Sequence, residues 1–322
     1  MLCEIPENFS EVSGQSETPW PGVAEGGPAT QEWSGYMDTQ APQRVATGFR
    51  FVEGPVWIPA ASQLAQMHAK NGALLFNDIP TSRTYCLSDG ACTVVRSHNR
   101  QANGNFLASD GLLVSCEHEG RRVAKVNLDG STVSIASHYQ GKRLNSPNDL
   151  IIGSDGSLWF TDPPYGVRAE ERELPFQGVY QVSAEGKLTL VSSEFIKPNG
   201  LALSRDETRL FVADTESGRI AVLTLSGRSD HKHAVTFCET ARPDGIRLDS
   251  KGNLWVAGLN GIEAFSPGGD HLGQIPLPER PANLAFGGED GLTLFICART
   301  SIYSLRAPWP GATFSRRSTA HG

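Results

Sequence analysis

Six polar residues stand at matching places along the chain: Glu53, Asn103, Asn148, Asn199, Asp244 and Asn283. They recur 39–51 residues apart, each leading into a short apolar run. Two are carboxylates and four are amides, with no Lys or Arg among them. Brought to one point, such a set suits a hard cation, because Ca²⁺ takes about six to eight oxygen ligands from carboxylates, amide carbonyls and water. Zinc prefers His or Cys, and none stands at these six positions. Taken singly, an Asn or Asp ahead of a strand is ordinary turn chemistry. Turns do not require the same residue type at every repeat, however. An acid such as Glu53, flanked by Phe51-Val52 and Pro55-Val56-Trp57, would also be costly to bury without a partner.

The elements that must position these residues follow from the repeat itself. Five segments align: Ala102-Asn103-Gly104 before LASDGLLVSCE, Pro147-Asn148-Asp149 before IIGSDGSLWFTD, Pro198-Asn199-Gly200 before ALSRDETRLFVAD, Pro243-Asp244-Gly245 before RLDSKGNLWVAG, and Pro281-Ala282-Asn283 before AFGGEDGLTLFICA. A sixth, Glu53-Gly54-Pro55-Val56-Trp57, opens the same way and reaches ALLFND. Each unit of about 46 residues holds a short strand, a polar turn, a second strand rich in Val, Phe and Trp, and further strand-like stretches such as GVYQVS or RIAVLTL. Four strands and three turns fill that length, which is the size of a propeller blade.

The expectation is therefore an all-β, six-bladed β-propeller of four-stranded blades around a central channel, spanning residues 44–306. Residues 1–43 read as a loosely ordered N-terminal extension that packs by Trp20, Trp33 and Tyr36, and 307–322 as a C-terminal tail. Residues 44–47 are placed to supply the outer strand that closes the last blade. The first strand of each blade lies nearest the axis, so the six leading residues converge at one end of the channel.

Composition narrows the function classes. The 322 residues are 39% hydrophobic and 20% charged, which supports a buried core. A net charge of −7, with no basic cluster longer than Arg121-Arg122 or Arg316-Arg317, argues against nucleic acid. No run of eighteen apolar residues and no signal-like N-terminus is visible, so the reading is a cytoplasmic protein without membrane contact, monomer or homodimer. The six cysteines are scattered; Cys86 and Cys92 flank the turn Ser88-Asp89-Gly90 and could face each other, or could simply be small apolar strand residues. No G-x-S-x-G, H-E-x-x-H, Walker or G-x-G-x-x-G pattern is present. His231-Lys232-His233 reads as a solvated loop. Asp78, Asp162 and Asp214, each ending a second strand, read as pins of strand ends.

The motifs FVEGPVW, LVSCEHEGRRV, GKRLNSPNDL with SDGSLWFTDPPYG, KPNGLALS, RPDGIRLDSKGNLWVA and PANLAFGG, in that order from about Arg44 to Leu305, resemble the senescence-marker-protein/gluconolactonase family. The long forms SCEHEGRRV and LNSPNDL resemble its bacterial-type gluconolactonase branch. The resemblance implies that Glu53, Asn199 and Asp244 hold one divalent metal ion, with Asn148 a fourth ligand or a substrate contact. Ca²⁺ is the first expectation, with Mg²⁺, Mn²⁺ or Zn²⁺ as alternatives. It implies a lactonase acting on a small sugar lactone such as glucono-1,5-lactone, with Asp244 as the general base or nucleophile and Asn103, Glu117 and His118 lining the same mouth as substrate contacts. His118 offers a second base, with an unperturbed pKa of about 6.5. A phosphotriesterase or other ester hydrolase on the same metal, and a non-enzymatic calcium-binding propeller, are the other readings. The stretch AASQLAQMHAKNGA is longer and more polar than a tight turn and predicts an irregular lip on the first blade.

Overall fold

The computed structural model describes residues 33, 35–37, 40–69, 71–225 and 233–312. Among them, six four-stranded antiparallel sheets form the blades of a β-propeller. From the innermost strand outward, blade 1 is Val52–Ile58, Ala73–Asp78, Arg83–Ser88 and Ala91–Ser97. Blade 2 is Ala102–Leu107, Leu113–Glu117, Arg122–Val126 and Thr132–Ala136. Blade 3 is Leu150–Ile152, Leu158–Asp162, Gly178–Val182 and Leu188–Ser192, and blade 4 is Pro198–Leu203, Arg209–Asp214, Arg219–Thr224 and Val235–Glu239. Blade 5 is Ile246–Leu248, Leu254–Ala257, Gly261–Phe265 and His271–Pro276. Blade 6 is Pro281–Gly287, Thr293–Ala298, Ser301–Arg306 and, from the other end of the chain, Gln43–Thr47.

That last strand closes the ring. Gln43–Thr47 pairs antiparallel with Ser301–Arg306, and the hydroxyls of Thr47 and Ser301 lie 2.9 Å apart. Ahead of it, Trp33 is buried against Trp255 and Trp309, with ring centroids 5.5 and 5.1 Å away, and Tyr36 meets Trp255 edge-on at 6.4 Å. Trp20, His231 and Lys232 lie outside the described residues.

Each blade packs on two neighbours, so its middle strands are apolar on both faces. Ala73–Asp78 and Leu158–Asp162 are buried throughout, whereas the outer strand Ala91–Ser97 is largely exposed. This two-sided burial explains why second strands read as near-continuous apolar runs rather than an alternation. The acids ending these strands fasten the segment that leads into the first strand. Asp78 accepts from the backbone N–H groups of Arg50 (3.2 Å) and Phe51 (3.0 Å). Asp214 accepts from Ile196 (3.1 Å) and Lys197 (2.8 Å), and Asp162 from Asn145 (2.8 Å).

Two local details that the sequence leaves open are resolved. Cys92 lies opposite Leu87 and Cys86 opposite Thr93, so the two thiols point to opposite faces of blade 1 and both are free. The irregular stretch between the first two strands of blade 1 forms the helix Gln63–His68, N-capped by Ser62, whose Oγ accepts from Ala65 N at 3.1 Å. It follows the far end of the first strand and so lies away from the mouth where Glu53 stands.

Burial raises the Asp162 carboxyl from its ordinary 3.8 to about 7, against the lowering effect of the Asn145 N–H and Arg121. Because the folded state holds the proton more tightly than the unfolded chain, the contribution of Asp162 to stability is full below pH 3.8 and is lost as the pH rises through 7. Urea unfolding of wild type and Asp162→Asn between pH 4 and 7.5 is expected to show the wild type losing on the order of a few kcal/mol relative to the variant. A pH-independent difference would contradict it.

Candidate active site

The six first strands approach so closely at one end of the channel that side-chain volume is excluded there. A Cβ on Gly54, which has φ +58°, would lie 1.7 Å from the carbonyl oxygen of Asn103. One on Gly245 would lie 2.2 Å from Asn283 Oδ1. Gly104 and Gly200 press on the backbones of Asn148 and Asp244 in the same way, each donating its N–H to the neighbouring carbonyl at 2.8 and 3.2 Å. The glycine after the leading residue is thus set by contact between blades. The leading side chain itself is directed into the mouth.

Around half of that mouth the amides form a chain. Asn103 Nδ2 donates to Asn148 Oδ1 at 2.7 Å, and Asn148 Nδ2 donates to Asn199 Oδ1 at 2.6 Å. Asn199 Nδ2 ends the chain on Tyr165 Oη (3.2 Å) and Thr215 Oγ1 (3.1 Å), and Thr215 donates to the Pro243 carbonyl at 2.7 Å. His118 Nε2 lies 3.2 Å from Asn148 Oδ1 and 3.3 Å from Asn103 Nδ2. Asn103 Oδ1 is buried with no hydrogen-bond partner among the described residues.

The other half carries the acids. Glu53 Oε2 accepts from Gly54 N at 2.9 Å and from Asn283 Nδ2 at 3.0 Å, leaving Oε1 without such a partner among the described residues. Burial pushes the Glu53 carboxyl up to about 7. The Asp244 carboxyl is raised well above its usual range, first by burial and then by the charge of Glu53. Burial pulls His118 down to about 4 and pushes the Tyr165 phenol up to about 12. One residue deeper along the strands, Asp149 meets Arg247, whose Nη1 lies 3.2 Å from Asp149 Oδ2.

These groups line one cavity of about 320 Å³, a size suited to a small ligand. Glu53, Asn103, His118, Asn148, Asn199 and Asp244 all border it. Asn283 instead supports Glu53 from beside it. Glu117 departs from the expectation: its fully buried carboxylate bridges Arg96 (2.9 Å) and Arg122 (2.7 Å) and does not border the cavity. It ends the second strand of blade 2, where the acid of other blades also serves as a structural tie. Residues the sequence reading missed are Tyr165, Thr215, Arg242, Arg280 and Arg299. Tyr165 lay in the WFTDPPYG motif, and Thr215 follows the second strand of blade 4 as Ile79, His118 and Arg299 follow those of blades 1, 2 and 6, a recurrence of position without a recurrence of residue type.

Among the described residues no group of three or more His, Cys, Asp or Glu side chains gathers to hold a metal ion. The mouth offers two carboxylates, and any further ligands would be amide oxygens. An amide oxygen has two lone pairs, so Asn199 Oδ1 can accept from Asn148 and still face a cation. The match to the family described as SMP-30/Gluconolactonase/LRE-like region runs over residues 51–300. The chain belongs to this family. A gluconolactonase of Zymomonas mobilis is 31% identical over 84% of this chain and 82% of the relative. The pentonolactonase XacC of Haloferax volcanii is 27% identical over 78% and 82%. The solved structure of a gluconolactonase from Xanthomonas campestris superposes with a TM-score of 0.74 at 30% identity, covering 84% of this chain and 96% of that one. In this SMP-30/gluconolactonase family member, the motifs EGPVW, SPND, PNGL and PDGI each deliver one residue to the same cavity.

Because Gly245 abuts Asn283, which in turn holds Glu53, a methyl group there disturbs both the packing and the acid pair. Gly245→Ala is expected to cost about 1–3 kcal/mol in thermal unfolding. An unchanged melting temperature would contradict the close approach.

Proposed function

We propose that this protein is a divalent-metal-dependent lactonase that hydrolyses a sugar lactone such as glucono-1,5-lactone. The observation that carries the reading is the pair of carboxylates, Glu53 and Asp244, delivered by different blades to one cavity where burial disfavours their charge. Two such groups side by side call for a cation. The lactonase activities named for the relatives support the substrate class.

Glu53, Asn199 and Asp244 would hold the ion, Ca²⁺ in the first instance, with Asn148 as a fourth ligand or a substrate contact. The donor set fits: it is oxygen-only, the unsatisfied buried Asn103 Oδ1 lies beside it, and neither acid forms an ion pair among the described residues, Arg247 and Arg280 acting on them only at longer range. An ion held there supplies Lewis-acid polarisation of the lactone carbonyl and compensates the oxyanion, an effect worth several kcal/mol.

The remaining steps fall to the chain. Asp244 holds a water and takes its proton as the water oxygen adds to the carbonyl carbon. The ring C–O bond then breaks, and the ring oxygen leaves as a hydroxyl that takes the proton back. Asn103 and Asn148 orient the lactone hydroxyls through their amides. His118, neutral at pH 7 because burial disfavours its charge, contributes one donor and one acceptor rather than a base of ordinary strength. Tyr165 and Thr215 fix the Asn199 amide so that its oxygen stays on the cavity side.

Lactone hydrolysis followed by pH-stat is expected to vanish on chelation and return with Ca²⁺. Asp244→Asn is expected to lower kcat by about a hundredfold or more. Full turnover by Asp244→Asn would remove the assigned role, and faster turnover of a phosphotriester than of the lactone would move the reading to a different ester hydrolase.

A further inference from the structure

Three arginines stand on one side of the same cavity. Arg242 comes from the connection between blades 4 and 5, Arg280 from that between blades 5 and 6, and Arg299 from the turn between the second and third strands of blade 6. The wall across the ring, from blades 2 and 3, is neutral and made of Asn103, His118, Asn148 and Tyr165, whereas Phe51 and Ile79 adjoin Arg299, whose carbonyl accepts from Val52 N at 2.8 Å. Positive charge is therefore confined to one flank.

Other basic residues nearby are spent on local acids. Arg96 and Arg122 hold Glu117, Arg247 holds Asp149, and Lys197 holds Glu216 at 3.0 Å. Among the described residues Arg280 and Arg299 form no ion pair, and Arg242 lies 3.7 Å from a Glu216 already engaged by Lys197. The one acid adjacent in sequence, Glu279, is turned outward. Its carboxylate accepts from Thr300 N (2.8 Å), Thr300 Oγ1 (2.7 Å), Ser301 Oγ (2.5 Å) and Tyr303 Oη (3.1 Å). Among the described residues Arg280 donates only to the Arg242 carbonyl, at a long 3.5 Å.

A divalent ion on Glu53 and Asp244 balances those two acids, so it leaves the flank uncompensated. A neutral sugar ring needs hydrogen-bond partners, which the amides supply. It does not need two guanidinium groups that form no ion pair among the described residues, Arg280 reaching Asp244 only by a longer-range attraction, and such a donor arrangement matches phosphate, sulfonate or carboxylate oxygens. We infer that the lactone taken by this protein carries an anionic group at the end away from its reacting carbonyl, held by Arg280 and Arg299 with Arg242 beside them. The inference rests on the lactonase reading for its substrate, and on the arginine flank for its charge.

The test compares kcat/KM of the metal-loaded protein for glucono-1,5-lactone, for its 6-phosphate ester and for a sugar lactone with a terminal carboxylate. In parallel, calorimetry compares binding of glucitol and glucitol 6-phosphate, which contain no hydrolysable bond. A charged lactone is expected to exceed the neutral one by about tenfold or more. The Arg280→Ala/Arg299→Ala double variant is expected to bring that ratio close to one, and added salt to erode it. The better of the two charged lactones identifies the anion. Equal rates and equal binding for charged and neutral compounds would overturn the inference, as would a preference that survives in the double variant. If no lactone is turned over, the lactonase reading fails. The glucitol pair then decides the anion subsite alone: tighter phosphate binding that is lost in the double variant upholds it, and equal binding overturns it.

Discussion

Two carboxylates held in one poorly hydrated channel mouth set the terms for the rest of the molecule. Each is disfavoured as an anion by burial, and the charge of Glu53 makes the ionisation of Asp244 harder still. A third acid, Asp149, lies deeper but is matched by Arg247 at 3.2 Å. With Asp149 matched by Arg247, ionising both Glu53 and Asp244 would leave two negative charges at the mouth, the deficit that a single divalent cation would make up. The rim arginines are more exposed, and of them Arg280 partly offsets the charge of Asp244 without forming an ion pair with it among the described residues.

Holding that mouth together is a problem of backbone approach. The first strands come within contact of one another, and Gly54, Gly104, Gly200 and Gly245 stand where any side chain would collide with the next blade. The amides between them have no room for water on every side and so satisfy each other, from Asn103 through Asn148 to Asn199 and on to Tyr165 and Thr215. Within blade 1 a further buried network, Asn77, Thr84 and Asn99, ties the Asn103 carbonyl through a 2.7 Å bond from Asn77. Rigidity at the site therefore comes from the same polar groups that shape it.

Much of this was legible because it repeats. The strand, the Asn-Gly or Asp-Gly pair and the apolar second strand recur in register, so the blade count, the closing strand near residues 44–47 and the convergence of Glu53, Asn148, Asn199 and Asp244 all follow from alignment of the chain with itself. What does not repeat was not legible. Glu117 neighbours His118, yet consecutive residues leave a strand in opposite directions, and its partner Arg96 comes from the outer strand of another blade. The helix Gln63–His68 occupies a stretch whose length signalled irregularity without saying on which face it lay. Arg280 precedes Pro281 as Arg242 precedes Pro243, and Arg299 follows its second strand as His118 and Thr215 follow theirs, so the positions recur while the residue types vary, and the absence of an ion pair on Arg280 and Arg299 among the described residues is a property of three-dimensional arrangement alone.

The proposed chemistry requires Glu53 and Asp244 together to hold one divalent cation. Calorimetric titration of chelator-treated protein with Ca²⁺, in wild type and in Glu53→Gln, tests it most directly. One ion per chain is expected in the wild type, with proton release on binding near neutral pH as the raised carboxyls ionise, and binding weakened by about a hundredfold in the variant. Absence of Ca²⁺ binding by the folded wild type, or equal affinity in Glu53→Gln, would contradict it.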